Sequence, residues 1–490
     1  MNEAVGRKDL HNPDNHRIAI LPLANISADP KDEYFSEGMT EELISTVSRI
    51  AGLKVIARTS VMRYKGTAKP VGEIGKELGV GTILEGSVRK TGNKVRITAQ
   101  LVNAQTEEHL WSQSYDRDIE DLFSIQSEIA QRIARSLKVR VLATVKKGLE
   151  RKATGKSDAY TSYLRGRHFL NTRSEEGLKR AIECFQQALT SDPRYAKAYA
   201  GLADSHAVMA LLEFLPPREA FPEARETALK ALEIEGGLAE AHTSLGAVLF
   251  QYDWDWPEVE REYRRALELN PNYPQAHQYY ADYLKAMGRF PEALEEMNRA
   301  HDLDPLSLAI NTGIGHVLYL SREYDRAIDQ YGKTVRLDPT FVQARLWFGR
   351  PYLQKGRYKE ALAEIEEAVK LSGGSTLSLA MLGQAYAAAG KRDEAKGVLG
   401  KLMERAKRQY VPSYWIAMVH VGLGDKDHAF TWLEKAFEEK SSWLVWAKVE
   451  PRFDVLRSDS RFDSLLNRMR LLPAKSKELG LRGWIKGPKK

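Results

Sequence analysis

Residues 251–271, QYDWDWPEVEREYRRALELNP, put two tryptophans and two aspartates into Asp253–Trp256, a set that could stack on and hydrogen-bond a ligand or simply shape a turn. Four histidines, His206, His242, His277 and His420, carry the ring chemistry of metal ligation and proton transfer. Glu37, Glu41 and Glu42 crowd three carboxylates into six positions, as acid–base chemistry would need. Gly79-Val80-Gly81 begins like a loop that cradles a dinucleotide phosphate.

Each candidate is decided by the element that must carry it. Gly79-Val80-Gly81 fails because Leu84 stands at the third-glycine position and a strand, not a helix, follows. The three glutamates fall in the first turns of a predicted helix, where they complement its dipole and are solvated. There is no Walker A run, no His-Arg-Asp with Asp-Phe-Gly pair and no paired-histidine zinc helix. The sequence therefore assigns no catalytic, cofactor-binding or metal-binding residue, and the protein is expected not to be an enzyme.

From about residue 158 the chain repeats. Alanine is followed by a large residue four later, a small residue three after that, and Pro or Gly five further on: Val259, Tyr263, Ala266, Pro271; Ala293, Met297, Ala300, Pro305; Ala327, Tyr331, Thr334, Pro339. A second helical pattern precedes each set, with Gly246, Ala281, Gly315, Gly349 or Gly383 where two helices must approach closely. Phe221-Pro222-Glu223, Trp256-Pro257-Glu258 and Phe290-Pro291-Glu292 occupy equivalent positions, so Trp256 is a repeat position assigned to packing. Asp255 with Glu258 fits an N-cap and its capping-box acid, and only Trp254 lacks a counterpart. His242 and His277 share one first-helix position, while His206 and His420 lie elsewhere in that helix; all four are expected to be packed imidazoles. Cys184, the single cysteine, beside Phe185, is expected to be a small buried or half-buried hydrophobe.

These units resemble the tetratricopeptide repeat over about 290 residues in roughly eight copies. The resemblance implies a right-handed solenoid of antiparallel helix pairs, none of which can bury its apolar face alone. If core positions are the fourth, seventh, eighth and eleventh of each first helix, the fifth, ninth and twelfth project beside them. They are Gln278, Asp282 and Lys285, then Thr312, His316 and Tyr319, with Arg350 in the next unit. That polar set of both charge signs is expected to line a groove for a peptide or protein partner, with Lys285 or Arg350 pairing an acidic group. Exchanging both cations for glutamate is expected to leave the fold intact.

The first 150 residues follow another grammar. RIAILPLAN and LKVIART read as strands around the helix DEYFSEGMTEELISTVSRI; PVGEIGKELGV is a second helix. TILEGSVRK and KVRITAQLV flank Thr91-Gly92-Asn93 as a hairpin, a strand near EEHLWSQSY follows, and a last helix carries Ile125, Ile129, Ile133, Leu137 and Val141. That order predicts an α/β domain with a mixed sheet. Its segments ILPL (20–23), FSEGMTEEL (35–43), LEGSV (84–88), RITAQL (96–101) and WSQSYDR (111–117) resemble the TolB-like amino-terminal (FlgO-like) domain of bacterial proteins. In that family the domain and its repeats often form the sensory or interaction half of a larger protein completed by a winged-helix regulator, a nucleotide cyclase or a kinase. Only 16 residues precede the first strand here, so no such module is expected in this chain.

The expected layout is a disordered 1–16, an α/β domain over 17–145, a linker at 146–157, the solenoid over 158–440, capping helices over 441–472 and a basic tail from 473 to 490. Residues 467–490 hold eight Lys or Arg against one acid, which accounts for the whole net charge of +7. The charge thus sits in a terminus rather than in a basic stripe, and no nucleic-acid partner is expected. No run approaches the ~18 apolar residues of a membrane span, and the start lacks a secretory signal, so a cytoplasmic location is expected. The reading that follows is a non-enzymatic adaptor or sensory protein in bacterial signalling or envelope-related assembly. The alternative is the regulatory half of a cyclase or transcription-regulator system.

Overall fold

The structure, a computed structural model, describes residues 16–139, 141 and 154–472. Residues 1–15 of the expected disordered segment, residues 140 and 142–145 of the expected α/β domain, residues 146–153 of the expected linker and the basic tail 473–490 lie outside the described residues.

The amino-terminal domain contains β1 (Arg17–Ile20), β2 (Ala24–Asn25), α1 (Glu33–Ser48), β3 (Lys54–Val55), α2 (Arg58–Val61), α3 (Val71–Leu78), β4 (Thr82–Thr91), β5 (Lys94–Asn103), β6 (His109–Asp118) and α4 (Leu122–Ser136). The sheet order is β3-β1-β4-β5-β6, with β2 added beside β4. β1 runs parallel to β3 and β4, while β4, β5 and β6 are antiparallel, so the small sheet is mixed. Val95, Ile97, Ala99 and Leu101 are buried in alternation with polar neighbours, as the hairpin pattern requires. Gly79, at φ 65°, ends α3 in the left-handed conformation; Gly79-Val80-Gly81 is a helix stop that leads into β4.

Eight helix pairs follow among the described residues: α5 (Ser157–Leu170) with α6 (Glu175–Ser191), α7 (Ala196–Leu211) with α8 (Pro217–Ile234), α9 (Ala239–Val248) with α10 (Trp256–Leu269), and α11 (Pro274–Ala286) with α12 (Phe290–Leu303). They continue as α13 (Leu308–Leu320) with α14 (Tyr324–Leu337), α15 (Val342–Gln354) with α16 (Tyr358–Leu371), α17 (Thr376–Ala388) with α18 (Arg392–Ala406), and α19 (Ser413–Leu423) with α20 (Lys426–Glu438). The small first-helix residues allow this packing: a Cβ on Gly246, Gly315 or Gly349 would come within 2.6 Å of Tyr263, Tyr331 or Ile365. Among the described residues no helix is long and apolar enough to cross a membrane.

One polar position repeats with the helices. His242, His277, Asn311 and Arg345 each bond the carbonyl six residues back, of Gly236, Pro271, Pro305 and Pro339, at 3.2, 2.9, 2.9 and 2.7 Å. Each also reaches the second helix of its own unit, at Glu262, Glu296, Gln330 and Glu364. The two histidines are thus ties between the two helices of a unit and the preceding loop, and both ring nitrogens are engaged. His206 is half-buried, and burial pushes its ring below the usual imidazole range. Cys184 is buried, and burial raises its thiol.

Two sequence expectations are corrected. Asp255 stands at the start of α10 but its side chain accepts no capping bond; Glu258 pairs with Arg261 one turn on instead of reaching back. Glu37, Glu41 and Glu42 are not solvated dipole partners. They face α5 across an interface, where Glu41 takes Arg167 and Asn171, Glu42 takes Tyr163 and Lys197, and Glu37 takes His168 and Lys65. The cause is the helix face they share: Phe35 and Met39 sit in one apolar cluster with Tyr160, Leu164 and Phe185, so the α/β core runs unbroken into the first repeats. Further along, Asn272 Nδ2 bonds the carbonyls of Ser48 and Leu53 at 2.9 and 2.7 Å, and Ser60 Oγ donates to Asp304 at 2.5 Å.

Candidate interaction groove

The first helices α9, α11, α13 and α15 stand side by side and face a cavity of about 250 Å³. Five of the seven residues expected from helical spacing reach it: Gln278, Asp282, Lys285, Thr312 and His316. Phe250 and Trp347 supply apolar wall, and the opposite side comes from Ser442, Trp443 and Trp446.

Those last residues belong to a carboxy-terminal segment that runs back along the concave side. Expected as capping helices, residues 441–472 instead form two 3-10 turns, Ser442–Trp446 and Pro451–Leu456, before one helix, α21 (Ser460–Arg468). The reason is the density of large apolar side chains: Leu444, Val445, Phe453 and Leu456 are fully buried and join the solenoid core. Short turns let nearly every side chain of such a run find the groove, where a long helix would leave half of them outside.

Tyr319 and Arg350 are not open to a partner, which corrects their placement in an accessible groove. Arg350 is 2% exposed; its guanidinium pairs with Glu450 and lies 4.4 Å above the Tyr319 ring and 4.7 Å above that of Trp347. Glu450 also accepts from Arg452 Nε at 3.0 Å and from the Tyr319 hydroxyl at 2.7 Å. Burial by itself would raise the Glu450 carboxyl, but the two guanidiniums win and hold it down at about 2. Lys285 is likewise buried, with Nζ 2.5 Å from Asp282 and 4.9 Å above the Trp446 ring. An exchange of both cations for glutamate, expected to be neutral for the fold, would place two carboxylates where Glu450 and Asp282 already stand.

The cavity is electropositive at one end and short of hydrogen-bond partners. His316 is driven well below its usual range, first by burial and then by Lys285, Arg350 and Arg452, so its ring is neutral. Thr312 Oγ1 and Ser442 Oγ, both buried, find no hydrogen-bond partner among the described residues. Unsatisfied buried hydroxyls cost about 1–3 kcal/mol each.

A clasp closes the groove from the far side. The insertion after α7 turns at Glu213, φ 62°, and carries its carboxylate to the indole N–H groups of Trp415 (2.6 Å) and Trp443 (2.8 Å). Burial pushes this carboxyl up to about 7, and the two neutral donors offset it only in part. Trp254 and Trp256 belong to the same closure. Trp256 Nε1 donates to the Met469 carbonyl at 3.0 Å, and Trp254 packs 5.3 Å from Phe437 under the Lys440 ammonium. The paired tryptophans of the opening motif therefore shape the joint with the carboxy-terminal segment. Sequence reasoning missed Glu213, Trp443, Trp446 and Glu450 because none has a repeat counterpart; the only signal was the aromatic density of SSWLVW.

Comparison with known proteins agrees with this architecture. Three family models described as tetratricopeptide repeat match residues 262–295, 312–376 and 352–419. A putative adenylate cyclase 3 of Rhizobium meliloti is 33% identical over 242 residues, 48% of this chain and 40% of the relative. The transcriptional regulator HilA of Salmonella typhimurium is 24% identical over 286 residues, 58% of this chain and 50% of the relative. The chain thus spans half or less of the length of the curated relatives it matches. Among solved structures, a monomeric IFIT1 mutant is similar at 15% identity, TM-score 0.47, over 72% of this chain and 80% of its own. Residues 262–295 and 312–419 are tetratricopeptide repeats.

Proposed function

We propose that the protein is a non-enzymatic interaction module that takes a segment of a protein partner into the cavity between α9, α11, α13 and α15. The observation that carries the reading is the cavity itself, lined by Gln278, Asp282 and Thr312 beside the rings of Trp347, Trp443 and Trp446. A peptide offers main-chain groups for the Gln278 carboxamide and a side chain for the space over Trp347, Trp443 and Trp446. About 250 Å³ admits one or two side chains, not a folded element. With Arg350 paired to Glu450 and Lys285 to Asp282, recognition falls to the surrounding dipoles rather than to a free charge.

The relatives support a second layer. The chain matches parts of a putative cyclase and of a transcriptional regulator, and its α/β domain carries the residues that resemble TolB-like, FlgO-like domains. We infer that it is the sensory or interaction portion of a bacterial signalling system of one of these two kinds. The test is a random-sequence peptide library selected on the full chain, followed by affinities for Gln278→Trp, which fills the cavity, and for Lys333→Trp on the exposed face of α14. Binding weakened at least tenfold by the first and unchanged by the second supports the groove; equal binding to both removes it.

A further inference from the structure

Gly424, at φ 74°, reverses the chain between α19 and α20 within two residues. The reversal brings three side chains together: His420 from the end of α19, Asp425 at the cap position of α20 and His428 in its first turn. Their ligand atoms all lie within 4.8 Å of one another. Asp425 Oδ2 is 2.9 Å from His428 Nδ1 and 3.3 Å from His420 Nδ1. A zinc-like dication with bonds of about 2.0–2.1 Å has tetrahedral edges of about 3.3 Å, so the Asp425–His420 edge, at 3.3 Å, is in place before any ion enters and the Asp425–His428 edge, at 2.9 Å, has only to open slightly.

We infer that His420, Asp425 and His428 form a site for a divalent transition-metal ion of the zinc class. Two imidazoles and one carboxylate suit zinc, cobalt or nickel, and are too poor in oxygen for calcium or magnesium. The carboxylate touches both rings. Its Oδ1 accepts the His428 backbone N–H as the cap of α20 and also lies 3.0 Å from the His428 Nδ1, while Oδ2 faces both rings. The rings lie 5.2 Å apart and nearly parallel, at 17°. His428 is 67% exposed yet turned onto Asp425, and its open side leaves the fourth position to water or to a side chain of a docked partner. The sequence hides the site because H-x4-D-x2-H spans a helix end, a turn and a helix start rather than one helical face.

The experiment titrates untagged, chelator-stripped full chain with cobalt and then zinc. One equivalent of cobalt with visible d–d absorption, displaced by zinc, is expected. His428→Ala and Asp425→Asn should each weaken binding at least tenfold; the asparagine keeps the helix cap, so circular dichroism should match the parent. His109→Ala, at an exposed position in β6, should change nothing. Absence of one-to-one binding at micromolar concentration, or binding of parental strength in His428→Ala, overturns the assignment.

Discussion

Replacing Glu450 by glutamine isolates the contribution of the carboxy-terminal segment to the fold. The side chain is 1% exposed and its carboxylate is shared by two guanidiniums that are themselves 2% and 7% exposed. Glutamine keeps the volume and one acceptor but strands two buried cations, and removing one partner of such a set costs about 3–5 kcal/mol. The pH route gives the same size. A carboxyl held at about 2 against an ordinary 4.5 stabilises the fold by roughly 3 kcal/mol. Because the folded value is the lower one, that stability is present above pH 4.5 and is lost as the pH falls from 4.5 towards 2. Urea unfolding followed by circular dichroism at pH 7 and pH 3 measures both. The parent should exceed Glu450→Gln by about 3–5 kcal/mol at pH 7, and by clearly less at pH 3. A difference below ~1 kcal/mol at pH 7, or one that does not shrink with acid, would refute the buried-charge account and make the segment a loosely held tail.

Glu213 should behave in the opposite sense: with its carboxyl raised to about 7, its stabilising protonated form prevails below pH 4.5 and is lost as the pH rises through 7. The melting temperature of the parent should therefore fall between pH 5.5 and 8 relative to Glu213→Gln, with about 2–3 kcal/mol at stake. Gly315→Ala pushes a methyl against the Tyr331 ring and should cost about 1–3 kcal/mol. Gly397→Ala in α18, where a Cβ meets nothing within 4 Å, should stabilise by about 0.5–1 kcal/mol; denaturation midpoints compare the two. Trp256→Ala should lose about 3–5 kcal/mol, whereas Trp256→Phe, which keeps a ring but not the bond to Met469, should lose only about 1.

The repeats were legible because their physics is periodic. A glycine that must clear Tyr331 recurs where the next must clear Ile365, and spacing alone carries five of seven groove residues to one cavity. The β4–β5 hairpin was legible from alternation for the same reason. What spacing does not encode is what covers a surface. Arg350 reads as a free cation until Glu450, a hundred residues on, takes it, and Glu41 reads as a solvated helix-start acid until Arg167 arrives from α5. The Asp255 cap failed because the short π-helical turn Leu249–Asp253 and the left-handed Trp254 change the entry angle into α10.

The central claim is that partners enter the cavity lined by Gln278, Thr312 and Trp443. It is tested most directly by photo-cross-linking a library-selected peptide that carries a benzophenone side chain to the full chain, with the modified residues mapped by mass spectrometry. The account predicts adducts on α11, α13, α15 and the Ser442–Trp446 turn, suppressed in Gln278→Trp. Adducts concentrated on the outer helices α12, α14 and α16, or on the sheet of the amino-terminal domain, would contradict it.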